Sequence, residues 1–300
     1  MRGFFFSPKP GDGNRAYPEE LNCGGPPLLS IIIPVHNQLE YTQNCVHSIL
    51  RNPPHIPFEI LVVDDASTDA TPEFLHLLSR DESRISSLHN ETNLGFARSN
   101  NRGAAAAKGR YLLFLNNDTE VLPGWFPPLY EVLERNRDIG MVGPKLCFPD
   151  GTIQHCGKVW MDPAQPLSQP HHVYYRAESD APYVNKSREY SLLTGACLLV
   201  RRDEFLSVGP FDEGYENGWE DDDLCCAYRA AGKRIFYCAE SSVIHHQSQT
   251  LNGKIREAER LLAIHRRDSP PAPHSTAQEL AARRETERVL ISDLEHRLLG

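Results

Sequence analysis

The runs Leu29-Ser30-Ile31-Ile32-Ile33-Pro34-Val35 and Ile60-Leu61-Val62-Val63-Asp64-Asp65 decide the fold class. Between them Val46, Ile49 and Leu50 recur at helical spacing, so the segment reads strand, helix, strand. That is a βαβ unit, and it implies a buried parallel pair. The rhythm continues outward. Asp69 and Thr71-Pro72 mark a helix start leading into Phe74, Leu75, Leu77 and Leu78. An Ala-rich helical stretch runs from Phe96 to Ala107 and stops at Gly109, and Tyr111–Leu115 reads as the next strand. By residue 118 this makes three strands joined by helices.

The second half is less regular. Leu192–Val200 is strand-like, a short helix over Asp203–Val208 ends at Gly209, and a helix carrying Leu224, Cys225, Tyr228 and Ala231 ends at Gly232. Ile235–Cys238 follows as a strand, with Ser242–Ile244 as a further candidate strand. Residues 1–27 are punctuated throughout by Pro and Gly and read as an extension. Residues 28–250 hold the α/β unit. From Leu251 the sequence turns polar and helical, and Leu290, Ile291, Leu294 and Leu298 share one helical side. This C-terminal helical appendage either packs on its own domain or receives a protein partner.

Forty acidic against 31 basic residues give a formal charge of -9. A nucleic-acid partner is therefore not expected, because phosphate neutralisation needs a basic face. Eight Cys without a CxxC pair read as reduced, mostly buried thiols. The N-terminal apolar run is only Phe4-Phe5-Phe6, too short for a signal peptide, and Tyr190–Val200 is too short for a membrane span of about 20 residues. Cytoplasm is the expected location.

The carboxylates at strand ends carry the chemistry, since ligands of open α/β sheets bind there. Asp64 and Asp65 follow one apolar run, and a turn or helix-cap role explains them equally well. Asn116-Asn117-Asp118 follows Tyr111–Leu115 and offers oxygen ligands to a hard divalent cation, or an Asn/Asp turn. Glu220-Asp221-Asp222-Asp223 exceeds what a helix dipole needs. Four adjacent acids should raise at least one pKa unless a cation relieves them. His245-His246, after Val243-Ile244, can supply an imidazole to a metal.

The ordered series Ile31-Ile-Ile-Pro34-Val-His-Asn37, Val62-Val-Asp64-Asp65-Ala-Ser-Thr-Asp69, Asn93-Leu-Gly-Phe-Ala-Arg98, Leu115-Asn-Asn-Asp118, Thr194-Gly-Ala196, Phe211-Asp-Glu213 and Glu220-Asp-Asp-Asp-Leu224, closing at His245, resembles inverting family-2 glycosyltransferases of the GT-A fold. Within them it is most similar to a bacterial rhamnosyltransferase-like branch. The resemblance implies a Rossmann-like nucleotide-diphospho-sugar transferase fold, mostly parallel in its central sheet, over residues 28–250. It implies that Pro34, Asn37, Asp64, Asp65, Arg98 and Asn117 line the nucleotide-sugar site. Asp118 and His245 would hold a divalent cation, Mn2+ or Mg2+, with Asn116 and Asn117 standing where the family has a DxD motif. Asp221 matches the general base, with Glu220, Asp223 and Trp219 supporting it or the acceptor.

The activity so implied is transfer of a sugar, rhamnose among the candidates, from a dTDP- or UDP-linked donor. The acceptor is a hydroxyl of a cell-surface polysaccharide or glycolipid. A lipid-linked acceptor would be met at the inner face of the cell membrane, with peripheral contact only. A nucleotidyltransferase or dinucleotide dehydrogenase is disfavoured, because Pro34-Val-His-Asn-Gln-Leu-Glu40 has neither Gly nor a basic residue. A catalytically silent nucleotide- or glycan-binding scaffold is the alternative from another class.

Overall fold

β1 (Leu29–Val35) is the pivot of the molecule. A computed structural model describes residues 25–160, 170–215 and 218–246. After β1 come α1 (Leu39–Arg51), β2 (Phe58–Asp65), α2 (Thr71–Asp81), β3 (Ile85–Asn90), α3 (Phe96–Ala106), β4 (Tyr111–Leu115), β5 (Thr119–Val121) and α4 (Phe126–Arg135). The second half holds β6 (Ile139–Cys147), β7 (Ile153–His155), β8 (Lys158–Trp160), β9 (Pro170–His172), β10 (Arg188–Glu189), β11 (Cys197–Arg201), α5 (Arg202–Val208), α6 (Glu220–Ala230) and β12 (Arg234–His245).

The main sheet runs β10-β12-β6-β11-β4-β1-β2-β3, with β5 added to β12 and β7 to β6. β1 pairs in parallel with β2 and β4, β2 with β3, and β12 with β6. β11 enters antiparallel between β4 and β6, so β3, β2, β1, β4, β6 and β12 all point one way. This is the expected mostly parallel α/β architecture. Alternation along β1 separates the two faces. Ile31, Ile33 and Val35 pack with Val46 and Ile49 of α1, Leu75 of α2 and Leu129 of α4. Ile32 packs with Leu61, Val63 and Phe114 against Ala97 and Ala104 of α3, Phe205 of α5 and Tyr228 of α6. Each fully buried Ile or Leu of these layers contributes about 1.5–3 kcal/mol.

Several expected boundaries move. β3 makes a fourth strand before residue 118; its Ile85-Ser-Ser-Leu-His-Asn90 alternates too weakly in polarity to show an apolar run. Asp64 and Asp65 lie inside β2, paired in register with His89 and Asn90, and do not follow the strand. Leu192–Val200 is not one strand: Leu192 makes an isolated bridge to Lys158, and β11 begins at Cys197. Ser242–Ile244 belongs to the same strand as Ile235–Cys238, because a register shift between Cys238 and Ser242 lets β12 continue along β6. Among the described residues seven cysteines are free thiols, six of them buried. No helix among the described residues is long and apolar enough to cross a membrane. The N-terminal extension to residue 24 and the C-terminal appendage lie outside the described residues.

Candidate active site

The parallel strands bring their carboxyl ends to one edge, and β11, running the other way, begins there: Cys197 sits opposite Leu115. Hence the segments after Val35, Asp65, Leu115 and His245 meet the segment Thr194–Ala196 at that edge.

At the β1 and β2 ends the polar residues brace one another. Asn37, at φ 58°, accepts from the Thr68 and Asp69 amides at 2.7 and 3.2 Å, and its own amide donates to Ser67 Oγ at 2.7 Å. His36 Nδ1 lies 2.7 Å from the Asp65 carbonyl. Asp64 accepts from the Ser67 amide at 3.0 Å and meets His89 Nδ1 at 2.9 Å. Asp65 accepts from Asn90 Nδ2 at 2.7 Å and from the Leu94 and Gly95 amides at 2.8 Å each. Its carboxylate thus fixes the turn that launches α3, and Gly95 supplies the positive φ of 84°. Pro34 is half-buried at the end of β1. Arg98, in the first turn of α3, is half exposed and pairs with Glu213 at 3.7 Å. Asn117 turns away from the edge and donates to Thr42 Oγ1 of α1 at 3.1 Å.

At the β4 and β12 ends Asp118 and His245 come together, with Asp118 Oδ1 3.1 Å from His245 Nε2. His245 Nδ1 lies 3.3 Å from Gln154 Oε1, so Gln154 holds the ring from the side away from Asp118. Asn116 adds Nδ2 at 3.4 Å from His245 Nε2, and its buried Oδ1 has no hydrogen-bond partner. Among the described residues no group of three or more His, Cys, Asp or Glu side chains is placed to hold a metal ion. A carboxylate, an imidazole and an orphaned amide oxygen fit a divalent cation that takes its remaining ligands from a diphosphate and water.

The third part of the edge is the start of α6. Asp221 Oδ2 accepts from the Gly195 amide at 2.8 Å and meets Lys158 Nζ at 3.3 Å, and Oδ1 accepts from the Asp222 amide at 2.8 Å. Lys158 also forms a short ion pair with Asp222. Burial pushes the Asp221 carboxyl up, but Lys158 and the Gly195 amide outweigh it and hold the group below its ordinary value. Glu220 is pushed up to about 8 by burial and then by the Asp221 charge. Asp222 is pushed up to about 7 by burial and by Asp221, with Lys158 opposing. Asp223 donates its backbone amide to Trp219, which caps the helix in a left-handed conformation at φ 74°.

Two of the four acids, Glu220 and Asp222, are raised, and at Asp221 a cation relieves the repulsion. The cation was not legible as Lys158. Also missed were Gln154, which orients His245, and the pair of buried His155 and half-buried His172, whose Nδ1 atoms lie 3.0 Å apart. Burial first, then Lys158, lowers His172 to about 4, and burial and His172 hold His155 well below its ordinary value. The run Gln154-His-Cys-Gly-Lys158 was the available signal: two polar side chains and a cation in strand-forming sequence.

The three parts are linked by direct contacts. Gly195 lies so close to α6 and α3 that an added Cβ would stand 3.3 Å from both Asp221 Cβ and Phe96 Cζ. The Asn116 amide donates to Ala196 at 3.0 Å. Asp65 accepts from the Gly95 amide, the adjoining Phe96 stands against Gly195, Gly195 donates to Asp221, and Ala196 accepts from Asn116, whose side chain approaches His245 and through it Asp118. The pattern that defines "Glycosyl transferase family 2" matches residues 30–203, more than half of this sequence and most of that edge.

The chain belongs to glycosyl transferase family 2. This glycosyltransferase-family chain is 33% identical over 237 residues to the O-antigen biosynthesis protein RfbC of Myxococcus xanthus, covering 75% of this chain and 18% of that one. It is 28% identical over 216 residues to N-acetylglucosaminyl-diphospho-decaprenol L-rhamnosyltransferase of Mycobacterium tuberculosis, covering 65% of this chain and 68% of the relative. The curated relatives it matches first are longer: the chain spans 18% of RfbC and 25% of protein y4gI of Sinorhizobium fredii. Among solved structures it is similar to GalNAc-T7 with UDP, GalNAc and Mn2+, at TM-score 0.58 and 20% identity over 76% of this chain and 44% of that one. It is also similar to the mannosyltransferase PcManGT of Pyrobaculum calidifontis with GDP-Man and Mn2+, at TM-score 0.55 and 16% identity over 94% and 79%. These likenesses establish the GT-A fold.

Proposed function

We propose that this family-2 chain transfers a sugar from a nucleotide-diphosphate donor, dTDP- or UDP-linked, to an acceptor hydroxyl with inversion at the anomeric carbon. The single observation that carries the reading is the linkage of Asp221 to the Asp118–His245 pair through Gly195, Ala196 and Asn116 at one sheet edge.

Asp221 takes the proton of the attacking hydroxyl while a bond forms from that oxygen to the anomeric carbon and the bond from the carbon to the diphosphate breaks. Its pKa is held down, so it is ionised at neutral pH. A carboxylate offers about four acceptor positions, and three here are taken by Gly195, Lys158 and Asp222, which leaves one on Oδ1. Asp118, His245 and Asn116 would hold the divalent cation. When bound it supplies Lewis-acid stabilisation of the leaving diphosphate. Asp64, Asp65, Asn37 and Pro34 shape the wall for the base and ribose, and Arg98 can leave its exposed pairing with Glu213 for a phosphate. Trp219 and Glu220 flank the acceptor side, where Glu220 stands as a neutral acid. The printed names of RfbC and the mycobacterial enzyme support a cell-surface polysaccharide or glycolipid acceptor. Such an acceptor would be met at the cytoplasmic face of a membrane.

A thermal-shift panel of UDP, dTDP and GDP, each with and without Mn2+, tests this reading, because a ligand of the native state raises Tm by mass action. One nucleotide is expected to stabilise the chain more with Mn2+, and Asp118→Asn is expected to erase the Mn2+ increment. Absence of stabilisation by all three contradicts the donor assignment.

A further inference from the structure

Lys158 lies outside every motif that marks the family site in this sequence. It sits at the start of a three-residue strand, is 5% exposed, and is 63 residues from Asp221 in the chain. Its ammonium nevertheless stands 3.3 Å from Asp221 Oδ2 and in a short ion pair with Asp222 Oδ1. Its backbone is tied to the same place, because the Lys158 amide donates to the Leu192 carbonyl at 2.9 Å, three residues before Gly195. Burying an ammonium costs several kcal/mol unless it is paired. A methionine or valine would fill this strand position without that cost.

The first turn of α6 contains its own control. Glu220 and Asp221 are adjacent and both largely withdrawn from water. Glu220 has no ion pair among the described residues, its Oε2 has no hydrogen-bond partner, and its carboxyl sits at about 8. Asp221 touches Lys158 and the Gly195 amide, and its carboxyl is brought below the ordinary value. The other titratable groups around the pair are Cys225 from α6, His172 from β9 and His155 from β7. Burial keeps the thiol protonated, and both imidazoles are neutral at physiological pH. The formal positive charge facing Asp221 within this group is the ammonium of Lys158.

We propose that Lys158 is the positioning residue of the general base: its ammonium, clamped between Asp221 and Asp222, keeps the Asp221 carboxylate charged and fixed, with Oδ1 open to the acceptor. The clamp acts through Asp221 and rests on the reading of Asp221 as the base. Asp222 is the second jaw, which explains why the acidic run needs a third carboxylate facing inward.

The test uses the full chain and two readouts. The first is the titration midpoint of Asp221, followed by carboxyl 13C NMR on Asp-labelled protein, with the resonance identified by its loss in Asp221→Asn. The second is the pH profile of nucleotide release from dTDP-rhamnose and UDP-N-acetylglucosamine with Mn2+, water serving as the acceptor. In Lys158→Met the midpoint is expected to rise by about 1–3 pH units, and the acid limb of nucleotide release is expected to move up with it. Lys158→Arg is expected to keep both near their wild-type positions. If Lys158→Met does not fold, Lys158→Met/Asp222→Leu replaces the buried pair by apolar side chains of similar size, a change buried pairs tolerate, and is read the same way. An unmoved midpoint and acid limb overturn the clamp while leaving Asp221 as the base if Asp221→Asn is inactive. Wild-type nucleotide release by Asp221→Asn removes the base, and the proposal falls with it.

Discussion

The Gly195 amide donates to Oδ2 of Asp221 across 2.8 Å, and this bond joins the entry of β11 to the first turn of α6. It fixes a side chain of the helix against the strand edge that also carries Asn116. The absence of a side chain at 195 permits the approach, since a Cβ would stand 3.3 Å from both Asp221 and Phe96.

Gly195→Ala is therefore expected to fold and to displace Asp221 by a fraction of an ångström. Turnover should fall by about 10–100-fold, the scale on which small misplacements act. Steady-state kinetics beside a thermal melt checks this: a fall in kcat with nucleotide stabilisation retained is expected, and unchanged kcat argues that the contact does not position the base.

Gln154 holds the His245 ring by its Nδ1 side, 3.3 Å away. Gln154→Leu should leave the fold intact and weaken Mn2+ binding by about 10–100-fold, as loss of partners behind metal-bound imidazoles does. Isothermal titration of Mn2+ in the presence of saturating UDP measures it. Equal affinity in the two proteins would remove His245 from the cation site.

Glu220 and Asp222 imply a pH dependence of stability with a definite sign. Both carboxyls are raised when folded, to about 8 and about 7, so the folded chain holds protons that the unfolded chain has already lost. Their contribution is complete below the ordinary carboxylate range and is lost as pH rises through 7 and 8. Asp221 acts oppositely, its contribution being lost as pH falls below that range. Glu220→Gln should flatten the fall in Tm between about pH 5 and about pH 9, by about 2–4 °C for each kcal/mol relieved. A fall as steep as that of the wild-type chain would contradict burial of Glu220.

Legibility in the sequence followed burial. β1, β2 and β4 are covered on both faces, so they appear as unbroken apolar runs, and their bounds could be read to within a residue or two. β3 has only Ile85 and Asn90 buried, and β6 is buried throughout yet broken in sequence by Gly140, Gly143, Pro144 and Lys145. Neither presents a period that a sequence can show. The acids of the edge were legible, because carboxylates at strand ends and in a run of four are chemically conspicuous. Lys158 was not, since one lysine in a short strand acquires meaning only when a distant helix is folded onto it. Asn117 looked like a ligand in Asn116-Asn117-Asp118, but in the turn between β4 and β5 its side chain faces Thr42 of α1.

In the proposed mechanism Asp221 is the group that accepts the acceptor's proton. The direct measurement is the turnover of Asp221→Asn, an isosteric change, with donor affinity measured on the same protein. A fall in kcat of about 10²–10⁴-fold with nucleotide–Mn2+ affinity unchanged is expected. Turnover equal to that of the wild-type chain would contradict the mechanism.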